Sequence, residues 1–521
     1  MRFLSVFLPR LPTDRILRRR EPGAAEAPFA LWRKIKGGER LVAVNAPAQR
    51  RGLLPGMAVA DARALYPALA LEENDAIADA AMLESIADWH RRFTPLAALD
   101  PPDGVLLDVT GAAQLFGGEA NLLDEIERRL KAQGFCARAA LAPGPALARA
   151  LARFSNVRLV SAQASQQDLD ALAARLPVAA LELEDPVAAA LARAGLRNVG
   201  DLLTRPRAPL AARFGSRTLT RLDALACRIR DPITPRFEAP DYMAERRFPE
   251  GLTQLADIEA TLERLSGELC LLLEREGVGA RRLEAVFYRV DGAVKRVAAG
   301  TSRPLRDPAR IFALLRERLA LLGEDGLDTG YGFDVLRLCA SAAERLDDEQ
   351  NPLGLDGDML GAYEASDLAD LVDRLGARLG LRRVLRLYPQ DAHLPEFAIA
   401  AMPAAYPQPA VFKRPDPPAP DSPRAPLRPM RLFEQPEPIE AVALSPDGPP
   451  LRFRWRRALH ETAAFEGPER IAAPWWRAPR NPLTRDYFNV VDSKGRRFWI
   501  YREGLRGQEC AQARWFMHGL F

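Results

Sequence analysis

Residues 99–118 read LDPPDGVLLDVTGAAQLFGG, and the fold turns on how that stretch is taken. Residues 104–109 are an almost unbroken apolar run, stopped on one side by Pro101-Pro102 and on the other by Gly111. A short apolar run between turn residues is the pattern of a strand buried on both faces. Working outward, residues 2–8 (RFLSVFL) form a second such run, ended by Pro9, and 137–142 form a third. Residues 82–93 and 121–133 carry apolar positions at helical spacing. Residues 145–154 open a helix on a proline, where the missing N–H costs nothing. Helical stretches are expected after residue 9, with 41–44 as a further short strand and 52–65 as a turn and helix. Strands alternating with helices predict an α/β layer.

Further out the composition changes. Residues 176–226 read as short helices punctuated by Pro and Gly. From Arg281, RRLEAVFYRVDGAVKRVAAGTS is a strand, a turn at Asp291-Gly292 and a strand. A helix at 308–322 and a strand at 332–340 complete a small α+β domain. Residues 341–358 are polar. Residues 407–429 are Pro-rich, a semi-extended tether rather than a packed element. Aromatic residues and strand-like alternation then return, predicting a separate, mostly β domain to residue 521.

The chain of 521 residues is long enough for several domains, and 48% hydrophobic content argues against global disorder. The net charge of +4 is too small to name a partner. Cys136, Cys227, Cys270, Cys339 and Cys510 stand singly with no CxxC pair, so neither zinc nor a disulfide framework is expected, and no cofactor. The opening apolar run is broken by prolines, and no apolar run approaches ~18 residues. No membrane partner is expected, and the cytoplasm is the expected compartment.

Three passages resemble the Y-family translesion DNA polymerases. RRGLLPGMAVADARALYPAL (50–69) is similar to the fingers signature. The opening stretch (99–118) is similar to a palm strand that bears catalytic acids. LARAGLRNVGDLL (191–203), with RFGSR (213–217), is similar to a helix–hairpin–helix thumb. The resemblance implies a multidomain α/β and α+β fold. Its parts are a palm at 1–20 and 76–165, fingers at 21–75, a helical thumb at 166–238 and a little finger at 239–345. An exposed segment (346–365), a short helical and strand extension (366–405), the Pro-rich linker (406–429) and a small, mostly β, partner-binding domain (430–521) follow.

Nucleotidyl transfer in that family uses two divalent cations about 3.5–4 Å apart, held by carboxylates. By the resemblance, Phe7 stands where the first acid belongs and Pro9 where a second is usual, and the Asp-Glu pair reads Asp103-Gly104. One carboxylate cannot hold two metals, so no catalytic or metal residues are expected. The triphosphate grip, Tyr-x-x-Arg in the family, reads Ala46-Pro47-Ala48-Gln49, and a palm Lys falls near Pro145, so no nucleotide site is expected either. The thumb hairpin reads Leu183-Glu184-Asp185-Pro186, without the glycines whose N–H groups meet phosphate. Asp14 and Asp100 are the acids that a rearranged active site would draw on.

Sequence-independent DNA contact is expected from Arg281, Arg282, Arg289, Lys295, Arg296 and Arg303, several of them on one sheet face. Gln350, Leu353 and Leu355 fit a degenerate version of the extended peptides that bacterial sliding clamps bind, and Leu432-Phe433 is the rival anchor. The tail motifs Gly467-Pro468-Glu469-Arg470-Ile471, Trp475-Trp476, Arg485-Asp486-Tyr487-Phe488 and Trp515–Phe521 resemble the ImuB proteins, polymerase relatives of bacterial mutagenesis cassettes. That likeness implies a non-catalytic adaptor joining the sliding clamp, damaged DNA, an error-prone C-family polymerase and an ImuA-type, RecA-like protein. The alternative is an active Y-family polymerase with rearranged metal ligands. A DNA-binding repressor lacks a helix-turn-helix signature.

Overall fold

The computed structural model describes residues 1–21, 23–322, 327–346, 358–390, 392–406, 427–442, 448–472, 483–505, 509–510 and 514–521. The chain divides into two units, Met1–Asp367 and Leu368–Phe521. Among the described residues, no helix is long and apolar enough to cross a membrane.

The first unit opens with β1 (Phe3–Phe7), α1 (Leu11–Leu17), β2 (Phe29–Ile35), β3 (Gly38–Val44), α2 (Ala46–Arg50), α3 (Val59–Leu65) and β4 (Ala70–Glu73). There follow α4 (Ala76–His90), β5 (Ala97–Asp100), β6 (Gly104–Asp108), α5 (Glu119–Ala132), β7 (Arg138–Ala142) and α6 (Pro145–Phe154). The main sheet has the order β5-β6-β1-β7. Strand alternation splits β1 between two cores. Leu4, Val6 and Leu8 pack against Leu83 and Ile86 of α4 and Leu122 and Ile126 of α5. Phe3 packs against Leu147 and Leu151 of α6.

β2, β3 and β4 form a separate three-stranded sheet. The expectation of helix before residue 41 is corrected here: FALWRKI is a strand. Its cause is the two-residue turn Lys36-Gly37, with φ of 48° and 84°, which folds β2 back on β3.

Short helices come next: α7 (Gln166–Ala174), α8 (Asp185–Arg193), α9 (Val199–Leu203), α10 (Arg207–Phe214) and α11 (Ser216–Leu225). They pack around Leu191, Val199, Leu202 and Leu222, on the same core as α6. A second sheet is built from β8 (Tyr242–Leu252), α12 (Leu255–Arg275), β9 (Val278–Arg289), β10 (Val294–Leu305), α13 (Pro308–Ala320) and β11 (Phe333–Arg345), in the order β10-β9-β11-β8. The sequence reading lacked β8 and α12. α12 lies on the sheet with Ile258, Leu262, Leu265, Leu269 and Leu273 fully buried, a stripe at helical spacing.

α14 (Asp358–Leu379) leads into the second unit, followed by the hairpin β12 (Leu385–Pro389) and β13 (Ile399–Pro403). A closed barrel then forms from β14 (Arg431–Val442), β15 (Arg452–Trp455), β16 (Ala458–Ile471), β17 (Arg485–Asp492), β18 (Arg497–Glu503) and β19 (Arg514–Leu520). Phe453, Phe488, Val490, Phe498, Ile500 and Met517 fill one of its cores. His518 is fully buried, 3.0 Å from the Tyr487 hydroxyl, and burial pushes its imidazole down to about 4.

Candidate functional site

The register of the main sheet sets one row of residues side by side. Phe7 lies opposite Gly104 on one flank and Arg138 on the other, and Asp100 lies opposite Gly104. The Leu8 N–H donates to the Asp103 carbonyl at 2.8 Å, which holds the β5–β6 turn against β1. Asp103 and Gly104 therefore sit beside Phe7.

α6 crosses the same face, and its Arg149 and Arg153 are one turn apart. Arg153 donates from Nη1 to Asp100 Oδ2 at 2.9 Å and from Nη2 to Asp103 Oδ1 at 2.8 Å. Its guanidinium lies 5.0 Å from the centre of the Phe7 ring. Arg149 donates to Asp100 Oδ2 at 3.0 Å and to Glu182 Oε2 at 2.6 Å, and Arg221 of α11 donates to the same Glu182 oxygen at 2.6 Å. An unbroken chain of ion pairs thus runs from Asp103 through Arg153, Asp100, Arg149 and Glu182 to Arg221. Glu182 holds a left-handed backbone, φ 50°, at the mouth of the thumb-like hairpin.

Burial pushes the Asp103 carboxyl above its ordinary range, and the Arg153 charge only partly offsets that. Burial lowers the Arg153 guanidinium, but the Asp100 and Asp103 charges outweigh it and hold the group above its usual value. The two carboxylates converge, but on a guanidinium. A Cβ at Gly104 would stand 2.8 Å from Asp100 Oδ2 and 3.0 Å from Arg153 Nη2, so a longer acid there has no room. These residues do not fit a pair of hard cations, which need several carboxylate oxygens free to turn inward. Asp14 is committed elsewhere: it accepts the Cys136 N–H at 2.8 Å, and burial raises its carboxyl to about 6. Asp108 caps the Thr110 N–H at 3.0 Å. Among the described residues, no group of three or more His, Cys, Asp or Glu side chains could hold a metal.

The remaining expected positions are dispersed. Ala46 opens α2, Gln49 accepts from Arg10 at 3.1 Å, and Pro145 opens α6. Of the basic set, Arg282 and Arg296 share one face of the second sheet, whereas Lys295 lies opposite Phe287 and so on the other face. Arg289 is 8% exposed and bound by Asp291 and Asp328. Arg281 donates to the Thr301 carbonyl at 2.8 Å, and Arg303 is half-buried. The residues expected to contact DNA are thus divided between both faces of the sheet, with Arg281 and Arg289 held by neighbours. Gln350, Leu353 and Leu355 lie outside the described residues. Leu432 and Phe433 belong to β14, and Phe433 stacks on Trp455 with ring centres 6.1 Å apart. The residues missed from sequence are Arg149 and Arg153. Their signal was the i, i+4 arginine pair in LARALARF, directly after Gly144-Pro145.

Residues 15–153 match the impB/mucB/samB family, and residues 240–355 match the impB/mucB/samB family C-terminal domain. Protein ImuB of Caulobacter vibrioides (strain NA1000 / CB15N) is 40% identical over 483 residues, covering 90% of this chain and 100% of its own length. DNA polymerase IV of Halorhodospira halophila is 29% identical over 238 residues, covering 45% of this chain and 65% of its own. Among solved structures, DinB from Sulfolobus solfataricus is 15% identical, covers 65% of this chain and 98% of its own, and has a TM-score of 0.39. With palm-, fingers-, thumb- and little-finger-like parts, a mostly β C-terminal domain and a likeness spanning nine-tenths of its length, the chain belongs to the ImuB family of Y-family-polymerase-like proteins.

Proposed function

We propose that the chain is a non-catalytic adaptor in translesion DNA synthesis and SOS-induced mutagenesis. One observation carries this reading: the Arg153 guanidinium lies between Asp100 and Asp103, on the ring of Phe7 and against Gly104. Two-metal transfer needs cations clamping the attacking and leaving oxygens. A resident guanidinium neutralises the same carboxylates but offers no open coordination position. What remains is a body of polymerase shape, whose arginines would follow a phosphate backbone without reading sequence. In this reading Gln350, Leu353 and Leu355 engage the sliding clamp. The barrel, tethered beyond residue 429, holds an error-prone C-family polymerase and an ImuA-type protein. The tether raises the local concentration of those partners at the lesion. The work takes place in the cytoplasm and uses no cofactor.

The second reading, an active polymerase with rearranged ligands, draws on the nearness of Asp100 and Asp103. Primer extension on damaged and intact templates, with Mg²⁺ and with Mn²⁺, separates the two. The adaptor reading expects no extension, while clamp pull-down persists. Metal-dependent extension lost in D100N/D103N would establish the polymerase instead.

A further inference from the structure

The second sheet is closed on both faces. α12 and α13 cover one. The other carries Arg247 and Glu245 of β8, Arg337 and Cys339 of β11, Tyr288 of β9 and Arg296 of β10. The palm-like layer covers this second face. Val294 packs both with Val286, Tyr288 and Val335 and with the core beneath α4 and α5.

Ion pairs, a hydrogen bond and ring contacts also hold the two layers together. Asp334 Oδ2 accepts from Arg92 Nη2 at 2.6 Å and from Arg129 Nη1 at 2.5 Å, with Arg92 2% exposed and Asp334 4%. Arg247 donates to the Arg92 carbonyl at 2.8 Å and lies over Phe116. Arg296 approaches Asp88 at 3.4 Å. The ring of Phe237 receives both Arg91, from the palm-like side, and Arg296, from the sheet, at 4.6 and 4.5 Å.

This contact leaves much of its hydrogen bonding unmet. Nε and Nη1 of Arg91, the same two atoms of Arg92, Nη2 of Arg296 and Oδ1 of Asp334 are buried without a hydrogen-bond partner among the described residues. Arg91 is 5% exposed, and its guanidinium is lowered first by burial and further by the like charges of Arg296 and Arg337. Permanent interiors pair such groups. Guanidinium forks held dry with open donors suit an interface whose acceptors are exchanged, and phosphate oxygens are the acceptors that match a row of forks.

We propose that the palm–sheet contact is a latch with Asp334 as its catch, and that a nucleic-acid backbone opens it by supplying phosphates to Arg91, Arg92 and Arg296. The second half rests on the reading of the body as DNA-binding. The closed state buries Arg91 and Arg92 and half-buries Arg296, so free chain and DNA-bound chain differ in which face of the sheet is covered.

A native probe lies on each face. Cys339 is 3% exposed beneath the latch, and Cys270 is 5% exposed on α12, which covers the opposite face. The full chain and Asp334→Ala are treated with N-ethylmaleimide, and labelling at each thiol is followed by peptide mass spectrometry. Cys339 labelling is expected to rise at least about tenfold in the variant while Cys270 stays protected. Unchanged Cys339 labelling overturns the latch. Where both thiols rise together, the variant has unfolded, and the shape-preserving Asp334→Asn decides by the same criterion. In parallel, binding of a 30-nucleotide single strand is measured across salt concentrations. Asp334→Ala should bind about tenfold tighter with a steeper salt slope, because more phosphates are met. Glu344→Ala removes an equal charge on β11 outside the latch and should leave the slope unchanged. Equal slopes for Asp334→Ala and Glu344→Ala refute opening by nucleic acid. A native chain that binds no strand refutes the DNA reading, and the thiol comparison still tests the latch.

Discussion

Arg153 and Arg92 are both largely buried arginines on the palm-like layer, and their surroundings differ in one respect. Arg153 meets two carboxylates and a ring, and among the described residues no buried atom of its fork is left without a partner. Arg92 shares one carboxylate with Arg129 and keeps Nε and Nη1 unpaired. Complete pairing marks a permanent part of the core. Incomplete pairing marks a contact that can be exchanged. The contrast also bears on how a polymerase-like centre can become something else: the carboxylates need not vanish if a neighbouring helix supplies a cation of its own.

The sharpest way to break the comparison is Arg153→Ala. It leaves Asp100, 6% exposed, with only Arg149, and Asp103 with no cation of α6. The expected loss is about 3–5 kcal/mol, the usual cost of removing one partner from a buried pair. Urea unfolding measures it, and a loss below about 1 kcal/mol would reduce the cluster to a surface pair. A smaller effect is expected from Gly104→Ala. Its Cβ presses on Asp100 and Arg153, an overpacking cost of about 1–3 kcal/mol. The cost should shrink in the Arg153→Ala background, so a double-mutant cycle reads the coupling directly.

The smallest effect sharpens the comparison with a carboxyl that lacks such a cation. Asp14 has its folded value raised to about 6, from an ordinary 3.8, chiefly by burial. Its favourable contribution is complete below the unfolded value and is lost as pH rises through about 6. Asp14→Asn keeps an acceptor for the Cys136 N–H. It should therefore stabilise the chain by about 1 kcal/mol at pH 8 and leave it unchanged near pH 3.5, where the native acid is protonated in both states. Thermal melts at the two pH values check this, and equal shifts at both would show that Asp14 is not strained by its charge.

Much of this architecture was legible in sequence. β1, β6, β7 and α6 fall within a residue or two of the reading, because each is an apolar run bounded by Pro or Gly. β2 was missed because Arg33 and Lys34 interrupt its apolar pattern on the exposed half. β8, YMAERRFPEGL, reads as polar because it lies at the sheet edge. Alternation puts Arg282 and Arg296 on one face of the second sheet and Lys295 on the other, but that Arg289 is bound by Asp291 and Asp328 no local pattern records. The palm-like centre was half legible. Phe7 and Gly104 are visible as departures from a motif. That Arg149 and Arg153 lie across them depends on which face of α6 meets the sheet, which no local pattern records.

The strand order β5-β6-β1-β7 places β1 at the inside of its sheet, paired with residues about a hundred and more positions downstream. Such long-range pairing forms slowly, because the chain must close large loops before any contact rewards them. At a synthesis rate of about 5–20 residues per second, FLSVF waits roughly seven seconds or more before its second neighbour, β7, has even been made. During that interval an apolar strand with two open edges is a target for chaperones and for unwanted pairing. The β9–β10 ribbon, joined across a turn of a few residues, carries no such delay. The second sheet thus mixes both kinds of pairing: β9 and β10 can meet within moments of their synthesis, while its edge strand β8 must wait for β11, roughly ninety residues downstream, to be made.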